Sequence, residues 1–348
     1  MTDAGAIDVV TLSDGAQDPA SIAERLAAFL DGARSSLDLS VYDVHLGPRL
    51  RPIVRGALER ALARGVRVRF EHNEAMGEKT KGPPPPRTDP EVVGGLAIPV
   101  VSFPGVPDLM HHKYVIRDGA SLWAGSTNWS DDSWSREENV IVTVDSPDVA
   151  RAFADDFEQL WRSHGEVARG GHVASHPASV GGATVTPWFA PGRARALVHR
   201  MAAAMGHAQR RLRIASPVIT SGPILGTLAE VAEERRIDLG IVVDATQVHE
   251  VLYQWRGRVA WKRSMLERLA HDDRTSGKRS TPWGPATVHD FMHAKLTVAD
   301  DTVFVGSYNL SRSGETNAED MLEIEDAALA DRLAAYVDEL RRRYPAFS

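Results

Sequence analysis

Apolar positions along the chain fall into two periods. Residues 34–46 (RSSLDLSVYDVHL), 66–72 (VRVRFEH), 209–219 (QRRLRIASPVI) and 237–245 (IDLGIVVDA) carry the short apolar runs of strands. Residues 50–65 (LRPIVRGALERALARG) and 222–236 (GPILGTLAEVAEERR) instead repeat apolar side chains at helical spacing. The runs NVIVTVD (139–145) and MLEIED (321–326) predict two further strands, each followed by an amphipathic helix, 147–164 and 327–344. The same order of elements thus occurs twice. Alternating strands and helices predict an α/β fold made of two repeated α/β sandwich domains, over residues 1–164 and 186–348. Between them, 165–185 is rich in Gly, Ser and His and reads as a linker, its histidines His172 and His176 solvated like the neighbouring His164.

Two insertions break the repeat. Four successive prolines in 77–91 remove amide donors and fix φ, so this stretch reads as a surface loop. Residues 246–285 begin as a basic amphipathic helix with Val248, Val251, Leu252, Trp255 and Val259 on one face, then run into a polar loop. Both insertions follow the second strand of their half and are expected to overhang the same edge. In the second, Arg256, Arg258, Lys262, Arg263, Arg268, Arg274, Lys278 and Arg279 outnumber Glu267, Asp272 and Asp273, which suggests an anion-binding rim.

The strongest repeat is chemical. HHKYVIRDGASLWAGSTN (111–128) returns as HAKLTVADDTVFVGSYN (293–309). His111, Lys113, Asp118, Gly125, Ser126 and Asn128 answer to His293, Lys295, Asp300, Gly306, Ser307 and Asn309, and ten residues beyond each Asn stands a glutamate, Glu138 or Glu319. On a strand, i and i+2 share a face, so each half offers an imidazole beside an ammonium. A neutral imidazole can attack phosphorus, a protonated one can protonate a leaving oxygen, and lysines neutralise phosphate oxygens. Ser126, Asn128, Ser307 and Asn309 add neutral donors for the phosphate. Two lysines make a poor host for a metal cation, so the histidines read as catalytic; no metal or cofactor is expected. His112 has no counterpart, position 294 being Ala, and its parity turns it away from the site toward a structural role.

Both copies resemble the signature of the phospholipase D superfamily, His-x-Lys, four residues, Asp, then Gly-Ser-x-Asn, and the flanking elements extend the resemblance over most of the chain. The resemblance implies a pair of α/β sandwiches whose motifs face each other across one active site. It also implies a phosphohistidine intermediate, with His111 as the preferred nucleophile and His293 as the general acid that later activates water. Asp118, Asp300, Glu138 and Glu319 are expected as supporting carboxylates that pair structurally or fix the histidine tautomers. The expected substrate is a phosphodiester, of a phospholipid first and of DNA or RNA as the alternative, with hydrolysis or transfer to an alcohol as the outcome.

Composition narrows the rest. A net charge of −7 and a pI near 6.0 exclude a nucleic-acid-coating protein that relies on a basic field. The absence of cysteine removes disulfides and thiolate chemistry. No stretch is apolar enough for a transmembrane segment, and the N-terminus carries no signal-peptide pattern, which predicts a cytoplasmic protein. Peripheral membrane contact remains open through Trp255, Trp261 and Trp283, while Trp129 and Trp134 are expected to be buried near the site. Since one chain holds both half-sites, no obligate oligomer is needed.

Overall fold

The protein is described here by a computed structural model covering residues 6–74, 92–282, 284 and 287–347. The N-terminal half is a seven-stranded sheet in the order Ile7–Leu12, Asn139–Asp145, Ser121–Gly125, Lys113–Arg117, Ser36–Val41, Arg67–Asn73, Val100–Phe103. The C-terminal half repeats it as Ala183–Ala190, Glu319–Glu325, Thr302–Gly306, Leu296–Ala299, Arg211–Ser216, Asp238–Asp244, Thr275–Lys278, with Ala178–Val180 added at the first edge. The first five strands of each series pair antiparallel and the last three parallel, in the same places in both halves.

Strand alternation decides which core each side chain joins. Val140, Val142 and Val144 face the centre of the molecule, whereas Ile141 faces the outer helices Pro19–Asp31 and Arg51–Ala63. Leu322 and Ile324 do the same in the other sheet, with Met321 turned to the outer core of the C-terminal half. Both closing helices, Pro147–Ser163 and Ala327–Arg343, put their apolar stripes into the central core. Each starts on a side-chain cap, Ser146 accepting from the Val149 amide and Asp326 from the Leu329 amide.

One central core therefore serves both halves. Phe153 of the first closing helix packs edge-on against Phe189 of the other sheet, with ring centroids 4.9 Å apart. The Tyr336 hydroxyl of the second closing helix donates to the Leu12 carbonyl at 2.5 Å. Truncating Phe153 or Phe189 to alanine in such a core is expected to cost about 3–5 kcal/mol.

Two expectations change. The stretch 165–185 is not all linker, because Ala178–Val180 and Ala183–Ala190 form a hairpin on the C-terminal sheet. The second insertion is not a helix and polar loop. It folds as two helices, Ala245–Gln254 and Ala260–Ala270, and then the buried edge strand Thr275–Lys278, with Val248, Leu252, Leu266 and Leu269 in the outer core. The proline-rich loop, and the stretch holding Trp283, lie in part or whole outside the described residues.

Candidate active site

The two His-x-Lys segments approach each other because each extends the other half's sheet locally. His111 N–H donates to the Ala318 carbonyl at 2.9 Å, and His293 N–H donates to the Glu138 carbonyl at 3.2 Å. The preceding methionines are fixed alike: the Met110 amide donates to Asn73 Oδ1 at 3.1 Å and the Met292 amide to Asp244 Oδ2 at 3.0 Å, both acceptors ending the central parallel strand of their half. Gly125 and Gly306 are required by close approach. A Cβ would lie 2.2 Å from the Val140 carbonyl oxygen at the first and 2.3 Å from that of Asp320 at the second.

The lysines turn back on their own segment. Lys113 Nζ donates to the His111 carbonyl and Lys295 Nζ to the His293 carbonyl, both at 2.6 Å, and both side chains are buried. Burial pushes the Lys113 ammonium down to about 8, against the pull of Glu319 and Asp320, and pushes Lys295 well below the usual lysine range, with Lys113 adding repulsion. Burial likewise depresses both His111 and His293 well below a free imidazole, and each histidine feels both lysines. The four side chains thus share one electrostatic pocket.

Each imidazole is held from the opposite half, in different ways. His111 Nδ1 lies 2.8 Å from Glu319 Oε2, which also accepts from the Ser307 hydroxyl at 2.7 Å. His293 Nδ1 lies 3.1 Å from Asn139 Oδ1 and 3.3 Å from Glu137 Oε2. With Nδ1–H directed at these acceptors, each Nε2 carries the free lone pair or the transferable proton. Burial raises both Glu319 and Glu137 to about 7, although hydrogen bonds oppose the rise in each.

Sheet register explains why Glu138 is not the second tautomer-fixing carboxylate. Gly125 pairs with Ile141 and Gly306 with Met321, so the position matching Glu319 is Asn139, one residue beyond Glu138. Extended backbone then turns Glu137 and Asn139 to His293 and Glu138 the opposite way. Glu138 instead accepts from Lys278 Nζ at 2.8 Å and from the Tyr344 hydroxyl. Adjacent acidic residues in REEN, read with strand parity, were the available signal for Glu137.

Asp118 and Asp300 are also placed elsewhere. Both have left-handed φ, of 56° and 51°, in the turn that closes the strand after each His-x-Lys. Asp118 accepts from the amides of Arg34, Ser35 and Ser36 at 2.7–3.1 Å, and Asp300 from those of Gln209, Arg210 and Arg211 at 2.8–3.1 Å. Burial alone would raise these carboxyls, but the amide bonds outweigh it and hold both below the usual range. They fasten turns and do not reach the histidines. Ser126 and Ser307 have no hydroxyl proton free to offer a phosphate. Each is buried, its hydroxyl donating to Asn139 Oδ1 (2.6 Å) or Glu319 Oε2 (2.7 Å) and accepting from the Val140 or Asp320 amide (2.9 Å), so its single proton is committed. Asn128 and Asn309 stay partly exposed at the matching turns, where their side chains can meet an oxyanion.

Tyr42 is a site residue missed from the sequence. Its buried ring lies 4.6 Å from that of His111 and 4.6 Å from Lys113 Nζ, forming a wall of the pocket. Trp129 and Trp134 are buried in the outer N-terminal core. The basic segment does not form a continuous rim: Lys278 is buried on Glu138, Arg274 bonds Asp272 at 2.7 Å, and Lys262 Nζ donates to the Thr220 carbonyl at 3.0 Å. Among the described residues no helix is long and apolar enough to cross a membrane.

The sequence profile described as "Cardiolipin synthase, PLD-like domain" matches residues 26–161 and 201–341. Mitochondrial cardiolipin hydrolase of Xenopus laevis is 31% identical over 142 residues, which cover 40% of this chain and 61% of that protein. The Homo sapiens protein of the same name is 30% identical over 149 residues, covering 40% of this chain and 51% of its own. The chain thus spans a little over half the length of these relatives. The crystal structure of phosphatidylserine synthase from Haemophilus influenzae superimposes with a TM-score of 0.68 over 96% of this chain and 86% of that one, a likeness of fold at 12% identity. Two matched halves, each bearing an intact His-x-Lys pair, make this chain a member of the phospholipase D superfamily, in its PLD-like domain family.

Proposed function

We propose that the protein is a phosphodiesterase of phospholipase D type that hydrolyses a phospholipid headgroup ester, or transfers its phosphatidyl group to an alcohol, through a phosphohistidine and without a metal. The observation that carries this reading is the convergence of His111, Lys113, His293 and Lys295 in one pocket, with His111 Nδ1 anchored on Glu319. The phosphodiester anion sits between the two ammoniums. His111 Nε2 attacks phosphorus, the P–O bond to the leaving alcohol breaks, and that oxygen takes the proton from His293. The Glu319 carboxylate then balances the positive charge of the phosphorylated imidazole. Water or a second alcohol next gives its proton to His293 and its oxygen to phosphorus, and the P–N bond breaks.

Arrival of the anion also offsets the lysine charges that depress both imidazoles, which favours a protonated His293 in the complex. Glu137, near pH 7 in its titration, is a local proton store for that histidine. Support for a phospholipid substrate comes from the names of the profile and of the relatives, which are those of phospholipid enzymes.

The test is a parallel assay in EDTA offering cardiolipin, phosphatidylglycerol and phosphatidylcholine vesicles with an alcohol acceptor, single-stranded and duplex DNA, and RNA. Release or exchange of a headgroup with acid-labile phosphate trapped on protein is expected. Turnover of nucleic acid alone would overturn the lipid reading, and activity that returns only with added divalent ion would overturn the metal-free one.

Peripheral membrane contact belongs to the same proposal. Tyr253, Val259 and Trp261 are 54%, 46% and 54% exposed around the corner between the two inserted helices, with Arg256 and Arg258 exposed beside them. This corner is tied to the site turn: Lys262 bonds the Thr220 carbonyl, and the Thr220 and Ser221 amides donate to the Leu310 carbonyl, next to Asn309. Aromatic side chains among cations suit an anionic lipid surface. Replacing Trp261 and Tyr253 by serine is expected to weaken cosedimentation with phosphatidylglycerol vesicles about tenfold or more. Unchanged binding would remove this corner from the proposal.

A further inference from the structure

His112 is fully buried between two carboxylates from different elements, its Nδ1 3.0 Å from Asp320 Oδ1 and its Nε2 3.1 Å from Asp156 Oδ2. Asp320 comes from the C-terminal sheet and follows Glu319, the anchor of His111. Asp156 lies on the closing helix of the N-terminal half and accepts from the Gly171 amide at 2.7 Å. The triad therefore joins a strand, a helix, the connecting segment and the opposite sheet directly behind the pocket. The second half provides an internal control. Strand register and the matched helix caps place Ala294, Val140 and Tyr336 where the first half has His112, Asp320 and Asp156, and all three are buried in the central core.

The fold thus accepts an uncharged set at these places. Buried ion pairs in general add little stability over well-packed apolar residues, so stability alone does not account for the charged version. We infer that His112 is a positioning residue: as an imidazolium it fixes Asp320, and through it Glu319, in register with His111, and it sets the charge behind that one histidine. This assigns the two motifs unequal roles and rests on the proposed phosphohistidine chemistry only for its effect on turnover.

The charges around His112 are arranged for this. Burial opposes its protonation, but the two carboxylates outweigh it and hold the imidazole at about 10. Tyr114 packs against its ring at 4.9 Å, and Glu71, with Ser40 donating to it at 3.1 Å, lies in the same buried cluster with its carboxyl pushed up by burial. On the site side stand His111, Lys113, Lys295 and Glu319. His112 lowers His111 and Asp320 raises it. Loss of the His112 charge is therefore expected to move the His111 titration upward, and loss of the Asp320 charge to move it downward.

The experiment reads imidazole protonation in the full chain by 15N histidine NMR, for wild type, His112→Ala, His112→Gln and Asp320→Asn. Turnover of a soluble phosphodiester and thermal unfolding are followed in parallel. The expected results are a His112 that stays protonated at pH 8, opposite shifts of His111 in the His112 and Asp320 variants, and a fall of about 10²-fold in kcat with little change in KM. Should the alanine variant fail to fold, His112→Gln supplies the same comparison, since it keeps polar contacts without the charge. A His112 that titrates near 6.5, or a His111 titration that stays put while only the Tm moves, would overturn the inference. Opposite His111 shifts in a protein that turns over no phosphodiester would instead sink the proposed function and leave the positioning role standing.

Discussion

Substituting His111 by alanine should lower turnover by about 10⁴-fold or more while the chain stays folded, because in the proposed mechanism this side chain supplies the covalent bond to phosphorus. His293→Ala should behave differently according to the leaving group. A general acid contributes about 10²–10⁴-fold, and only when the departing oxygen needs a proton. A phosphodiester with a p-nitrophenolate leaving group should therefore be cleaved by His293→Ala with formation of trapped phosphoenzyme, and not by His111→Ala. Steady-state rates on alkyl and nitrophenyl esters, with acid quench for the intermediate, check this. The reverse pattern would exchange the two roles. Geometry favours the stated order because His111 has a carboxylate at 2.8 Å to balance an N-phosphorylated ring, whereas His293 meets an amide oxygen at 3.1 Å and a carboxylate at 3.3 Å.

Removing either ammonium should rank next. Lys113→Met or Lys295→Met is expected to cost about 10²–10³-fold in kcat/KM, the range for losing one preorganised donor to a developing oxyanion. The same variants carry a second signature. Both lysines depress both histidines, so either substitution should raise the imidazole titrations and shift the acid limb of kcat/KM to higher pH. In wild type the alkaline limb should fall near pH 8, since Lys113 is protonated below about 8 and loses its charge above it. That limb should move to higher pH in Lys113→Met, where Lys295 is the ammonium left to titrate and is relieved of the Lys113 charge. An alkaline limb that persists unchanged in that variant would mean another group controls it.

The amino-acid order determined the repeat, the strand and helix types, and the identity of the four central side chains. His-x-Lys on extended backbone can only put both groups on one face, and the pattern occurs twice. The parity of His112 follows from equally local periodicity, and the burial of Trp129 and Trp134 from residue type. Pairings between residues far apart were decided by the tertiary structure. Glu319 holds His111 across a separation of 208 residues, and no local rule distinguishes it from Glu138, which the same count along the chain singles out. Only the ladder that sets Gly125 on Ile141 and Gly306 on Met321 shows the frame slipping by one residue, and a slip of one reverses the face of every side chain on an extended segment. That slip puts Asn139 opposite Glu319, brings Glu137 to His293 and sends Glu138 to Lys278. Asp118, Asp300, Ser126 and Ser307 belong to the motif in sequence, yet fasten turns and neighbouring acceptors once folded, because backbone amides and buried side chains claim their polar atoms first.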